Sequence, residues 1–315
     1  METDARPRTA VVFPGMGPSQ YADVSRFMLV NPVARRLVAA AGEALGYSLV
    51  DRYREAEGDY SEYAQVAFLV NCLALAEWAR DALGVEPELC AGPSFGGKAA
   101  AAHAGTLAFP DAVRLTARLA RLMEDYFGRE HRDAVTLSFV RTPEPALAEI
   151  LAEMDERGEW YDIACRIDED FHMVTLREGG LERMQARLRA VGGLPLYSMR
   201  PPLHSAAFAG LRRRAEEEVF ADFHFADPKL PVVSDHDGSV LTSAEQVRTL
   251  LLDGIVRALR WPEVVAAFKE AGVTRVCVAG PDSLFGRVGI TTANFDVVAA
   301  NPRLAMQPRR RTGTR

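Results

Sequence analysis

The residues of this chain best placed to do covalent chemistry are Gly92-Pro93-Ser94-Phe95-Gly96. The run Leu89-Cys90-Ala91 leads into them, and a helix-forming stretch, Lys98-Ala99-Ala100-Ala101-Ala102-His103, follows. Strand, sharp turn and helix in that order are what a nucleophile elbow requires. Glycines on both sides of the serine remove side chains where the backbone is crowded. The hydroxyl then stands at a helix N-terminus, where N–H groups and the helix dipole favour a developing anion. The alternative is a tight turn whose serine caps the helix. A nucleophilic serine needs a base, and six histidines are available. His204, in Pro201-Pro202-Leu203-His204-Ser205, follows a rigid turn and is the leading candidate, with His236 second. His103 lies on the elbow helix itself, which carries it away from Ser94, and His131, His172 and His224 stand in polar or peripheral contexts.

The elements that must position these groups alternate along the chain. Thr9-Ala10-Val11-Val12-Phe13 reads as a buried strand ending in the turn Pro14-Gly15-Met16-Gly17-Pro18. Residues 64–83 are helical and apolar, and Pro110-Asp111 opens a helix to about residue 126, with Asp111 suited to its N-terminus. From 128 the pattern becomes strand (134–140), helix (143–157), two strands (161–167 and 171–176), helix (180–191) and strand (194–198). That β-α-β-β-α-β order is ferredoxin-like. Residues 230–234 and 274–279 read as further strands, residues 249–259 as a helix, and Pro262 as the start of another. The expected fold is α/β: an α/β-hydrolase-like large domain (residues 1–127 and 199–306) with an inserted ferredoxin-like small subdomain (128–198). A mobile basic tail (307–315) completes it.

Composition excludes several classes. The chain is 48% hydrophobic and 25% charged, an ordinary globular balance, and its net charge of −6 argues against nucleic-acid binding. Its longest apolar runs fall short of a membrane span. Cys72, Cys90, Cys165 and Cys277 are scattered without metal-ligand spacing, so no metal site and no disulfide set is expected. The polar start of the sequence lacks a signal-peptide pattern, and the expectation is a cytoplasmic monomer.

The ordered motifs resemble those of malonyl-CoA:acyl-carrier-protein transacylases and the acyltransferase domains of polyketide synthases. Phe13-Pro14-Gly15-Met16-Gly17 resembles their F-P-G-Q-G, Gln65 falls in a segment similar to their T-Q-P-A helix, and Gly92-Pro93-Ser94-Phe95-Gly96 resembles their G-H-S-x-G. Leu203-His204-Ser205 matches their histidine motif, and Asp237-Gly238, Arg260-Trp261 and Gly280-Pro281 resemble later signatures. The resemblance implies acyl transfer by a ping-pong route through an acyl-serine. Ser94 would attack a thioester, His204 would shuttle the proton, and the backbone N–H groups of Met16 and Phe95 would form the oxyanion hole. No bound cofactor is implied. The pantetheine arm arrives with the substrate, on CoA or on an acyl carrier protein that is also the partner.

The departures bear on specificity. Malonyl-type members pair the substrate carboxylate with an arginine on the helix after the elbow, a strong device because the pair is bidentate. A gapless alignment puts Leu119 at that position. Arg118 and Arg121 flank it, pointing about 100° and 200° away on a helix, although a one-residue slip brings Arg118 into the site. With Pro93 in place of the elbow histidine and Leu203 before His204, the expected pocket (Gln65, Pro93, Leu119, Arg118, Leu203) favours an acyl group other than malonyl. Gly97-Lys98 replaces the acidic residue that usually follows the elbow. Gly254 replaces a glutamine that orients the histidine, leaving Asp253 or a backbone carbonyl for that task. Arg212, Arg213, Arg257, Arg260 and Arg287 are candidates for docking an acidic carrier. Against this, Arg212–Arg214 before Glu216–Glu218 also fits a solvated helix. The competing functions are malonyl-CoA:acyl-carrier-protein transacylase, an acyl-thioester hydrolase that clears carriers, and a non-catalytic carrier-binding protein.

Overall fold

The computed structural model describes residues 7–307. Its strands, in chain order, are β1 (Thr9–Val12), β2 (Leu89–Ala91), β3 (Ala134–Val140), β4 (Tyr161–Asp168), β5 (Phe171–Arg177) and β6 (Leu194–Met199). β7 (Val232–Val233), β8 (Val240–Leu241), β9 (Leu259–Arg260), β10 (Arg275–Ala279) and β11 (Asp296–Ala300) follow. The larger sheet has the order β11-β10-β1-β2-β7-β8. All its pairs are parallel except β7 with β8. β1 and β2 are buried along their whole length, as central strands covered on both faces must be. The smaller sheet runs β6-β3-β5-β4-β9, and its first four strands are antiparallel neighbours in the ferredoxin-like order.

Helices cover the large sheet where their sequences dictate. Glu62–Leu83 starts at Ser61, whose hydroxyl accepts from the Ala64 N–H at 3.2 Å, and stops at Gly84, whose φ is +65°. It is buried almost all round, the mark of a core helix. Phe109–Arg129 carries Pro110 in its first turn and buries the stripe Leu115, Leu119, Leu122, Met123 and Tyr126. The small unit has its own core, in which Leu137, Phe139 and Val174 meet Ile150, Leu151 and Leu188 from its two helices. A second core joins the two sheets. Ala10 and Val12 of the large sheet share it with Ala164, Ile167 and Met173 of the small one, around fully buried Trp261.

Two expectations need correction. Residues 249–259 are not one helix. The helix is Ala244–Asp253, begun by a capping box between Ser243 and Gln246, and Leu259–Arg260 is a strand paired parallel to β4. Residues 254–258 turn between them because their carbonyls are needed elsewhere, as described below. Strand β11 was not anticipated; its pattern is only half-buried at the sheet edge. Of the expected tail, residues 308–315 lie outside the described residues.

Four turns follow the carboxyl ends of adjacent parallel strands β10, β1, β2 and β7, the edge where open α/β sheets place their sites. Their packing leaves no room for side chains. A Cβ on Gly96 would lie 1.9 Å from the Phe13 carbonyl oxygen, and one on Gly92 would lie 2.1 Å from the Gly96 oxygen. Gly96→Ala is therefore expected to cost more than about 3 kcal/mol, since backbone must separate from backbone. A denaturation midpoint equal to wild type would contradict this packing.

Candidate active site

Ser94 sits at the turn with φ +55°, a left-handed conformation that costs a non-glycine residue about 1–3 kcal/mol. Contacts from neighbouring strand ends hold it there. Its N–H donates to the Asp235 carboxylate at 2.7 Å, and Asp235, 4% exposed, follows β7. The Gly96 N–H donates to the Pro93 carbonyl at 3.1 Å, closing the turn into the helix Gly96–His103. The Ser94 hydroxyl lies 2.8 Å from His204 Nε2. His204 is also left-handed, with φ +63°, and its N–H donates to the Ile255 carbonyl at 2.9 Å.

His204 Nδ1 lies 3.1 Å from the Arg257 carbonyl oxygen. A carbonyl only accepts, so the ring proton is on Nδ1 and Nε2 presents its lone pair to the serine. The expected orienting group is thus the backbone carbonyl. Asp253 is excluded, because its carboxylate pairs with Arg212 at 2.9 Å and Arg257 at 3.7 Å. The turn at 254–258 supplies both carbonyls that hold His204. Burial pushes the His204 imidazole down from 6.5 to about 4. The nearby Asp235 carboxylate opposes that shift, His236 adds to it, and the Arg257 carbonyl opposes it. Desolvation wins because the ring is almost wholly buried.

The serine opens into a cavity of about 140 Å³ between the two sheets. Of the expected pocket residues Gln65, Leu119 and Leu203 line it, and Met16 and Phe95 line it too. Gln65 is held by its Nε2 donating to the Tyr60 carbonyl at 2.9 Å. The backbone N–H groups of Met16 and Phe95 have no acceptor among the described residues, and Gly15 abuts the elbow. The small sheet contributes Thr136, Ala164, Ile167, Met173, Tyr197 and Met199, so the far wall is mostly apolar.

Several expected residues lie elsewhere. Arg118 is not in the cavity. It pairs with Asp222 at 2.7 Å and lies over the Phe223 ring, because the next position, Leu119, faces inward. Pro93 is buried outside the cavity wall, since the turn presents Ser94 to the cavity and Pro93 to the protein. His236 does not reach Ser94; its Nδ1 lies 3.0 Å from the Ala258 carbonyl and its Nε2 3.7 Å from Asp235. His103 packs on Phe13. Arg212 is engaged by Asp253 and Glu216, and Arg257 by Asp237 and Asp253. Arg213, Arg260 and Arg287 are exposed without an ion pair among the described residues. Two residues were missed. Asp235 stood only inside the Ser234-Asp235-His236-Asp237-Gly238 motif, and its position at a strand end beside the elbow strand was the available signal. Lys98 was seen only as a replaced acid; it is buried and lines the cavity.

Comparison with known proteins agrees with this geometry. The family model described as acyl transferase domain matches residues 10–154, and the one described as VinK acyltransferase small domain matches residues 138–199. The malonyl CoA-acyl carrier protein transacylase of Synechocystis is 25% identical over 281 residues, covering 87% of this chain and 90% of that protein. The transacylase of the same name from Bacillus subtilis is 25% identical over 305 residues, covering 93% and 73%. Among solved structures, a malonyl-transacylase in complex with its type II polyketide synthase acyl-carrier protein superposes with a TM-score of 0.83. It is 23% identical, with 95% of this chain and 97% of that one covered. FabD from Acinetobacter baumannii gives 0.83 at 19% identity, with 96% of each chain covered. At these identities the structures establish the fold, a large α/β unit carrying a ferredoxin-like small one. The large unit is thus similar to the acyl transferase domain over residues 10–154, and the small unit to the VinK acyltransferase small domain over residues 138–199.

A ring-nitrogen NMR titration checks the electrostatics. His204 is expected to carry its proton on Nδ1 through the neutral range and to titrate near 4. A midpoint near the ordinary 6.5, or a proton on Nε2, would contradict the arrangement.

Proposed function

We propose that this protein moves an acyl group from a thioester donor, on an acyl carrier protein or CoA, to the phosphopantetheine thiol of a carrier protein in polyketide-type biosynthesis. The acyl group is one other than malonyl. Ser94 Oγ attacks the thioester carbonyl while His204 Nε2 takes its proton. The C–O bond forms, the C–S bond breaks, and the proton passes to the leaving thiolate. The acceptor thiol reverses these steps, losing its proton to His204 and releasing Ser94. The N–H groups of Met16 and Phe95 receive the oxyanion in both halves.

Three observations support the transfer chemistry: the 2.8 Å Ser94–His204 contact, the free N–H groups beside it, and the match of residues 10–154 to the acyl transferase domain. The observation that carries the non-malonyl reading is Leu119 on the cavity wall with Arg118 turned to the surface. Beside Leu119, where malonyl-type members hold the carboxylate, a malonyl group would find no arginine, and desolvating its charge against leucine is unfavourable. Of the docking candidates, exposed Arg213, Arg260 and Arg287 remain without an ion pair among the described residues and are available to attract an acidic carrier.

Ser94→Ala is expected to lower acyl transfer by at least about a thousandfold with the fold retained. Persistent acyl labelling of that variant would remove Ser94 from the mechanism. Leu119→Arg is expected to raise acylation by malonyl-CoA by about tenfold or more, through a new charge-assisted pair. A folded variant with no gain would refute the specificity argument. Wild-type acylation by malonyl-CoA as fast as by any other donor would restore the malonyl transacylase role.

A further inference from the structure

Lys98 is the one buried lysine among the described residues, 7% exposed in the first turn of the elbow helix, and it lines the acyl cavity. Its Nζ lies 3.8 Å from the centroid of the Phe95 ring. The ammonium itself has no hydrogen-bond or ion-pair partner among the described residues.

The charged groups around it are all engaged elsewhere. Within the cavity, the Asp235 carboxylate accepts from the Ser94 N–H, Asp282 accepts from the Leu284 N–H, and His204 is held between Ser94 and the Arg257 carbonyl. Burial holds the Tyr60 and Tyr197 phenols and the Cys165 thiol in their neutral forms. On the surrounding helices, Arg118 pairs with Asp222, Arg121 with Glu62, Glu77 with Arg36, and Asp253 with Arg212. On its own helix, His103 is kept neutral by burial. No anion of the protein serves the amine, and desolvation alone brings it down from 10.5 to about 7.

An unpaired cation in an apolar cavity is unfavourable, and a methionine of similar shape would fill the space better. Contact with an aromatic face offsets only part of that cost. The missing partner is an anion that enters with the substrate, restoring the charge and the hydrogen bonds. We propose that Lys98 is the specificity-determining residue of the cavity and that its ammonium pairs with a carboxylate carried on the acyl chain. This rests on the acyl-transfer reading above. The carboxylate would lie against the elbow helix and not against helix Phe109–Arg129, where Leu119 stands.

The pairing requires the ammonium form. In free enzyme that form dominates below about 7 and is lost above it, so preference for a carboxylated donor should fade as pH rises. His204, titrating near 4, stays neutral through this window. The experiment compares succinyl-CoA with butyryl-CoA, matched in chain length, by the rate of acyl-enzyme formation between about pH 6 and 9. Wild type should favour succinyl at the acid end and lose the preference through neutrality. Lys98→Met should lower the succinyl-to-butyryl ratio by about tenfold and make it independent of pH.

An unchanged ratio in the variant, or equal losses for both donors, would overturn the proposal; equal losses would place Lys98 on the shared pantetheine arm. A wild-type preference for butyryl at every pH would overturn it too. If Lys98→Met does not fold, the wild-type pH dependence decides alone. If neither donor acylates wild type although another acyl thioester does, the Lys98 proposal is overturned and the acyl-transfer reading stands; if no acyl thioester does, that reading fails as well.

Discussion

The close approach of the elbow to the end of β1 is the constraint on which the rest depends. Gly96 meets the Phe13 carbonyl where no Cβ fits, and the Phe13 N–H reaches the Ala91 carbonyl at 2.9 Å. This contact sets the turn after β1 beside the serine, so that Met16 and Phe95 both face the cavity. The proposed oxyanion donors are therefore main-chain N–H groups of the turns that follow two neighbouring strands. On that proposal Met16 can stand where related sequences carry glutamine, because the donor is its N–H and not its side chain. Asp235 ties β7 to the same turn through the Ser94 N–H, and offsets part of the strain of that residue's left-handed backbone.

The second sheet gives the site its low polarity. It supplies the mostly apolar far wall of the cavity in which His204 and Lys98 are both buried. The consequences differ because their partners differ. His204 keeps the Arg257 carbonyl on one nitrogen and Ser94 on the other, so its neutral, basic form is the stable one. Lys98 has only an aromatic face, and its charge awaits a ligand. The same burial thus prepares a base and a selective contact within one cavity. The parallel pairing of β9 with β4 and the shared core around Trp261 fix the two sheets relative to each other.

Most of the fold was legible because the buried strands are short apolar runs with clear punctuation. The four strands and two helices of the small unit follow the expected order almost to the residue, since β-branched and apolar runs alternate with helical stretches there. Residue type and context singled out Ser94 and left His204 ahead of His236, the family resemblance strengthened His204, and the structure brings Ser94 and His204 to 2.8 Å. What was not legible is what long-range packing decides. Residues 254–258 look helical, yet they turn to deliver the Ile255 and Arg257 carbonyls to His204, and main-chain ligands leave no trace in side-chain type. Arg118 and Leu119 are adjacent, and only the orientation of helix Phe109–Arg129 decides which of them faces the cavity. Lys98 was read only as a replacement for an acidic residue, because the neighbours that bury it come from elements far away in sequence.

The central claim is that Ser94 carries an acyl group other than malonyl and hands it to a carrier thiol. Intact-protein mass spectrometry on the wild-type enzyme tests it most directly. The enzyme would be incubated with malonyl-CoA, with other acyl-CoAs and with acyl-carrier thioesters, before and after addition of a holo carrier protein. The account predicts an adduct from a non-malonyl donor, mapped to Ser94, that leaves the enzyme and appears on the carrier. A malonyl adduct that forms fastest and transfers to the carrier would contradict the specificity. An adduct released only to water would contradict the transfer.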